Sequence, residues 1–121
     1  MREHPNGAEL LAMAREVLRQ ELLPLLPKDK QYDALMIANA MGIAERQLQQ
    51  GDRPEHHERD ALAHLLHMQG DVAALNMMFA RKIRKGGMDD NVEAQQLLWN
   101  MTVQRVRESA PKALAAYDIK P

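Results

Sequence analysis

There is no cysteine in this chain, which excludes disulfides, thiolate catalysis and a cysteine-type zinc site. Other nucleophiles are scarce: Ser109 is the only serine, Thr102 the only threonine, and no Gly-rich phosphate cradle or GxSxG turn occurs. Neither sign of charge dominates. Sixteen Lys plus Arg face 17 Asp plus Glu for a net charge of -1, a balance that gives no electrostatic pull toward nucleic acid or an anionic membrane. Long hydrophobic runs are missing too. ALMIANAMGIA, from Ala34 to Ala44, is too short to span a bilayer, and the opening MREHPNGAEL lacks the apolar centre of a signal peptide. These absences lead to the expectation of a soluble, cytoplasmic, non-catalytic protein with no resident cofactor and no membrane or nucleic-acid partner.

Aromatics are also rare, at 3% of residues, whereas 9 residues are Met and 45% are hydrophobic. A core made of Leu, Met and Ala uses a helix-forming alphabet, with Met filling gaps or lining an adaptable groove. Asn6 with Glu9 makes a capping-box-like start, and Leu10, Leu11, Ala14, Val17, Leu18 and Leu22 repeat at helical spacing up to Pro24. A first helix is therefore expected over residues 7–23. LPLLPKDK reads as a stiff connector to a second helix over 31–50, ended by Gly51. That helix is apolar nearly all round between Ala34 and Ala44 and is expected to be the most enclosed.

Asp52, Pro54 and Glu55 open a third helix over 54–69, with Gly70 as its stop. Asp71 caps a fourth over 72–85, whose Val72, Leu75, Phe79 and Ile83 form one stripe before Gly86 and Gly87. After the MDDN turn, a fifth helix over 92–108 carries Leu97, Leu98, Met101, Val103 and Val106, and Pro111 ends it before a weakly helical tail. No period-two strand or internal repeat appears. The expectation is an all-α, single-domain antiparallel bundle of five helices with short connections.

Four of the five histidines fall in HHERDALAHLLH, from His56 to His67. At about 100° per residue they share one side of the third helix with Asp60, while Ala61, Leu62, Leu65, Leu66 and Gln69 take the other. Asp60 with His64, and His64 with His67, have spacings that can grip a divalent ion. A working metal site, however, needs a dry and supported pocket, so the preferred reading is a solvated polar face. A metal-dependent enzyme or metal-binding protein using Asp60, His64 and His67 is the alternative.

On the second helix Ala34, Ala38 and Gly42 recur every fourth residue, a row without bulk that admits another helix, from this chain or from a second copy. On the adjoining flank Asn39 and Arg46 share a face with Tyr32 and Gln50. They need partners if enclosed, either carboxylates such as Glu16 or Glu21 or an anionic ligand. ARKIRKGG gathers Arg81, Lys82, Arg84 and Lys85 at the end of the fourth helix. Cations there complement the helix dipole, and weak nucleic-acid binding is the competing reading. Trp99 suits either the core or a partner interface.

GAELLAMAREVLRQELLPLLP, ALMIANAMGIAERQL and DVAALNMMFARKIRKGGMDD together resemble a family of small bacterial helical domains of unknown function. The resemblance extends from about Ala8 to Val106. The polar residues matching the family pattern are Glu21, Asn39, Glu45, Arg46, Asn76, Arg84 and Asp89, with Gly86 as the helix-ending glycine. Where the family closes with an A-N-P-R-Y-L-like segment, this chain reads SAPKALAAYDI. Genes of such domains tend to lie beside those of an aminoglycoside-phosphotransferase-like kinase and an acyl-CoA dehydrogenase. The resemblance thus implies an accessory role with a kinase-like or acyl-CoA dehydrogenase partner. Ala38, Gly42, Asn39, Arg46, Tyr32 and Arg84 are the candidate interaction or ligand residues, with a homodimer as the other expected assembly.

Overall fold

The computed structural model describes residues 3–121. Five α-helices follow one another, α1 (Gly7–Val17), α2 (Lys28–Gln50), α3 (Arg53–Leu66), α4 (Val72–Arg84) and α5 (Val92–Ser109), and a 3-10 segment, Pro111–Tyr117, follows α5. No strand occurs among the described residues, so the fold is all-α. The chain divides into two compact units, Met1–Gly51 and Asp52–Pro121.

The first unit is a helical hairpin. Asn6 caps α1 by accepting from the Glu9 amide at 3.0 Å. The helix does not stay regular to residue 23, as its periodicity suggests. Leu18–Leu22 widen into a π turn, closed by the Leu23 amide on the Leu18 carbonyl, and Leu23–Leu25 tighten into a 3-10 turn. Pro24 is the physical reason, because it has no N–H to continue the i to i−4 ladder. The following helix begins earlier than expected. Pro27 is extended, with ψ 148, and its carbonyl accepts from the Lys30 amide, so the KDK residues assigned to a connector form the first turn of α2.

The α2 helix runs antiparallel to α1, since Gly7 lies against Leu48 and Gly42 against Arg15. Only its small-residue row, Ala34, Ala38 and Gly42, is buried. The expectation that α2 is the most enclosed helix is therefore corrected: Leu35, Met36 and Ile37 are each 44–51% exposed. A hairpin covers one side of each member. The same holds for α1 and the π turn after it, where Leu11 and Leu18 are partly covered and Leu10, Val17 and Leu22 remain exposed.

The second unit builds its core from three helices. Leu62, Leu65 and Leu66 of α3, Leu75 and Phe79 of α4, and Ala94 and Leu97 of α5 form one buried cluster, with Met78, Met88 and Met101 packed around it. At roughly 25 cal/mol per Å² this apolar burial is the main stabilising term of the unit. The ends of its helices differ from expectation at α3. That helix stops at Leu66 because His67 adopts the left-handed conformation, φ 53 and ψ 42, and the Met68 amide turns back to the Ala63 carbonyl. Gly70 is not the stop. Asp52 makes no side-chain capping bond to α3, whereas Asp71 and Asn91 cap α4 and α5 by accepting from Ala74 and Ala94 amides at 2.8 and 2.9 Å. At the far end of α4, Gly86 takes φ +81, which only glycine adopts cheaply.

Candidate functional site

Most polar side chains here are exposed, so the candidate site lies where charge meets the interior of a unit. In the hairpin this happens at Gly42. A Cβ at that position would stand 3.4 Å from the Cζ and Nε of Arg15 and 3.4 Å from an Nη of Arg46. The two guanidinium groups therefore lie no farther apart than twice that distance. Arg15 descends from the inward face of α1, between Leu11 and Leu18, and Arg46 lies one turn beyond Gly42 on α2. Both side chains are half-buried. The absence of a side chain on residue 42 leaves the gap they occupy.

The Arg15 Nε is shut off from solvent and has no hydrogen-bond partner among the described residues. Leaving a buried donor without an acceptor costs about 1–3 kcal/mol, more for a charged group. A second cation beside it adds repulsion. No carboxylate among the described residues accepts from the Arg15 Nε. Chemically the arrangement is two fork-shaped donors converging on one spot, the geometry with which arginine recognises carboxylate and phosphate oxygens.

The second unit holds a different polar cluster. Glu58 of α3 accepts from the Asn76 side-chain amide of α4 at 2.7 Å and pairs with Arg105 of α5 at 3.6 Å. Its side chain is 21% exposed. One carboxylate oxygen, Oε1, thus ties the three helices around the apolar core. The open groove lined by His4, Asn6, Ala8, Leu48 and Gln49 is likewise occupied with local bonds, because Asn6 caps α1 and His4 holds Glu9.

The candidates from the sequence fall in separate places. Ala38 and Gly42 are turned inward on α2, so their row is taken up inside the hairpin. Asn39 and Tyr32 are exposed, and Tyr32 is 70% so. Arg46 is the member of that flank that reaches the interior, and the group it meets is Arg15 rather than Asn39. Arg84 is exposed in the last turn of α4. Asp60, His64 and His67 are all exposed and do not converge: Asp60 meets Arg59 at 3.3 Å, His64 reaches Glu93 at 3.6 Å, and the two imidazoles are tilted with centroids 6.5 Å apart. No group of three potential metal ligands gathers among the described residues. Trp99 lies at the surface, edge-on to Tyr117 at 6.3 Å.

Two residues that organise these clusters, Arg15 and Glu58, escape a reading by periodicity. Each has a signal all the same. Arg15 sits at i+4 from Leu11 and i−3 from Leu18, and Glu58 at i−4 from Leu62 and i−7 from Leu65, so both are charges embedded in an apolar stripe.

Residues 24–113 match the model of a family described as a domain of unknown function (DUF6285). The match takes in α2 to α5 and leaves α1, with Arg15, outside it. No curated protein and no solved structure matches the chain.

Proposed function

The chain belongs to the DUF6285 family, whose function is unknown, and from that premise we propose that it is a non-catalytic helical accessory domain that binds a protein partner through its first two helices. One observation carries this reading. Leu10, Met13 and Val17, at helical spacing on the side of α1 away from α2, are 44–57% exposed, and α2 adds Leu35, Met36 and Ile37. Exposed apolar surface on this scale marks interaction sites more often than accident, and Met adapts its shape to a partner.

The partners put first are a phosphotransferase-like kinase or an acyl-CoA dehydrogenase, on the strength of the resemblance, with a second copy of this chain next. The test is mass spectrometry of what co-purifies with the protein at native expression level in its own host, alongside sedimentation of the pure chain. A stoichiometric partner of one of those kinds, lost in the Met13→Glu, Ile37→Glu variant while its helical circular dichroism persists, is the expected outcome. A wild-type chain that purifies alone and sediments as a monomer overturns the proposal.

A further inference from the structure

We infer that α1 is a releasable strap on the hairpin: it peels from α2 about the Leu18–Leu25 junction while the three-helix unit stays folded, and Arg15 keeps the closed state weak. This stands apart from the protein-partner reading, which uses the outward faces of the two helices. The strap has little apolar grip. No residue of α1 is fully buried, and α2 meets it with Ala34, Ala38 and Gly42, so the seam encloses no large side chain. Into that seam α1 sets down a guanidinium, with the Arg15 Cζ and Nε 3.4 Å from a Cβ placed on Gly42. The Nε is closed to solvent and has no acceptor among the described residues. Water satisfies this donor as soon as α1 lifts, so the open state gains an interaction that the closed state withholds.

The junction supplies the hinge. After Val17 the regular ladder gives way to a π turn over Leu18–Leu22 and a 3-10 turn over Leu23–Leu25, where Pro24 has no N–H to donate. Leu26 is then extended, with ψ 146. The chain already changes course between the two helices, so α1 swings without breaking a regular helix. Once lifted, α1 has only 11 residues, fewer than a helix needs to hold by itself in water. It unravels on opening, and its amides report the event. The three-helix unit has its own anchor in Leu62, Leu75 and Phe79, each 3% exposed or less, and its amides stay protected throughout.

The experiment is native-state hydrogen exchange of the full chain, read residue by residue by NMR under conditions in which exchange follows the opening equilibrium. In the wild type the amides of residues 11–17 exchange as one group, roughly a hundredfold or more faster than those of residues 75–79. Arg15→Met keeps an unbranched side chain of nearly equal helix propensity but removes the stranded donor, and it raises protection of residues 11–17 by roughly tenfold. Loss of a cation from the last turn of α1 acts in the opposite direction through the helix dipole, so the rise belongs to the donor. Arg19→Met, at an exposed position, leaves protection unchanged. Ala38→Leu puts bulk into the seam and lowers protection of residues 11–17, while unchanged protection of residues 75–79 shows that the second unit is intact. Equal protection of α1 and α4 in the wild type overturns the inference. So does protection in Arg15→Met no higher than in the wild type, an equal rise in Arg19→Met, or an α1 indifferent to Ala38→Leu.

Discussion

Charged residues set within apolar stripes meet opposite fates in the two units. Glu58 on α3 finds an amide and a guanidinium, at 2.7 and 3.6 Å, and becomes a tie between helices. Arg15 on α1 finds another arginine. The difference follows from what faces each stripe, which no residue's own identity states. His67 is a third residue whose role depends on its surroundings. It occupies the left-handed region that non-glycine residues enter at a cost of about 1–2 kcal/mol, and its exposed ring makes only a tilted contact with His64. His67→Gly is therefore expected to raise stability by about 0.5–1 kcal/mol, the left-handed strain outweighing the extra freedom glycine adds to the unfolded chain. Urea unfolding checks this, and a loss of stability would show that the imidazole contributes more than its contacts suggest.

At the scale of elements, caps and prolines explain the boundaries. Asp71 and Asp52 look alike in the sequence, each an aspartate ahead of a helix, but only Asp71 accepts a backbone N–H. Asp71→Ala should destabilise by about 1 kcal/mol. Asp52→Ala should cost less than about 0.5 kcal/mol, what a charge near a helix start contributes without the bond. Equal losses in chemical denaturation of the two variants would mean that the Asp52 carboxylate caps α3 in solution. The π turn of Leu18–Leu22 is the element least expected from the pattern. Leu18 and Leu22 keep their helical spacing, so the apolar code is unchanged while Pro24, two residues on, alters the ladder. Helix starts and stops were legible at Asn6, Asp71 and Gly86. They were not at Lys28 or Leu66, where a proline carbonyl and a left-handed histidine do what capping side chains and glycine usually do.

For the molecule as a whole, stability rests on apolar packing rather than charge. The ion pairs lie largely at exposed positions, Arg59 with Asp60 and His64 with Glu93 among them, and such pairs contribute little and are screened by salt. The core of the second unit is the larger stabilising feature. Phe79, 3% exposed, sits at its centre with Leu62 and Leu75. Phe79→Ala is expected to remove about 3–5 kcal/mol, visible as loss of hydrogen-exchange protection across α3, α4 and α5. Retention of that protection would place the centre of the unit elsewhere. No helix among the described residues is long and apolar enough to cross a membrane.

The sequence by itself determined that the chain is helical, roughly where the five helices lie, and which side of α3 carries histidine. Each of these is a local matter, set by residue propensity, periodicity and capping along a single segment. Only the tertiary structure decided how much of each apolar stripe is covered, because coverage depends on the number of neighbours a helix has. It likewise decided that Arg46 meets Arg15 over Gly42, a juxtaposition of residues 31 positions apart or fewer that helical spacing within α1 or α2 cannot encode, since it depends on the antiparallel register between them.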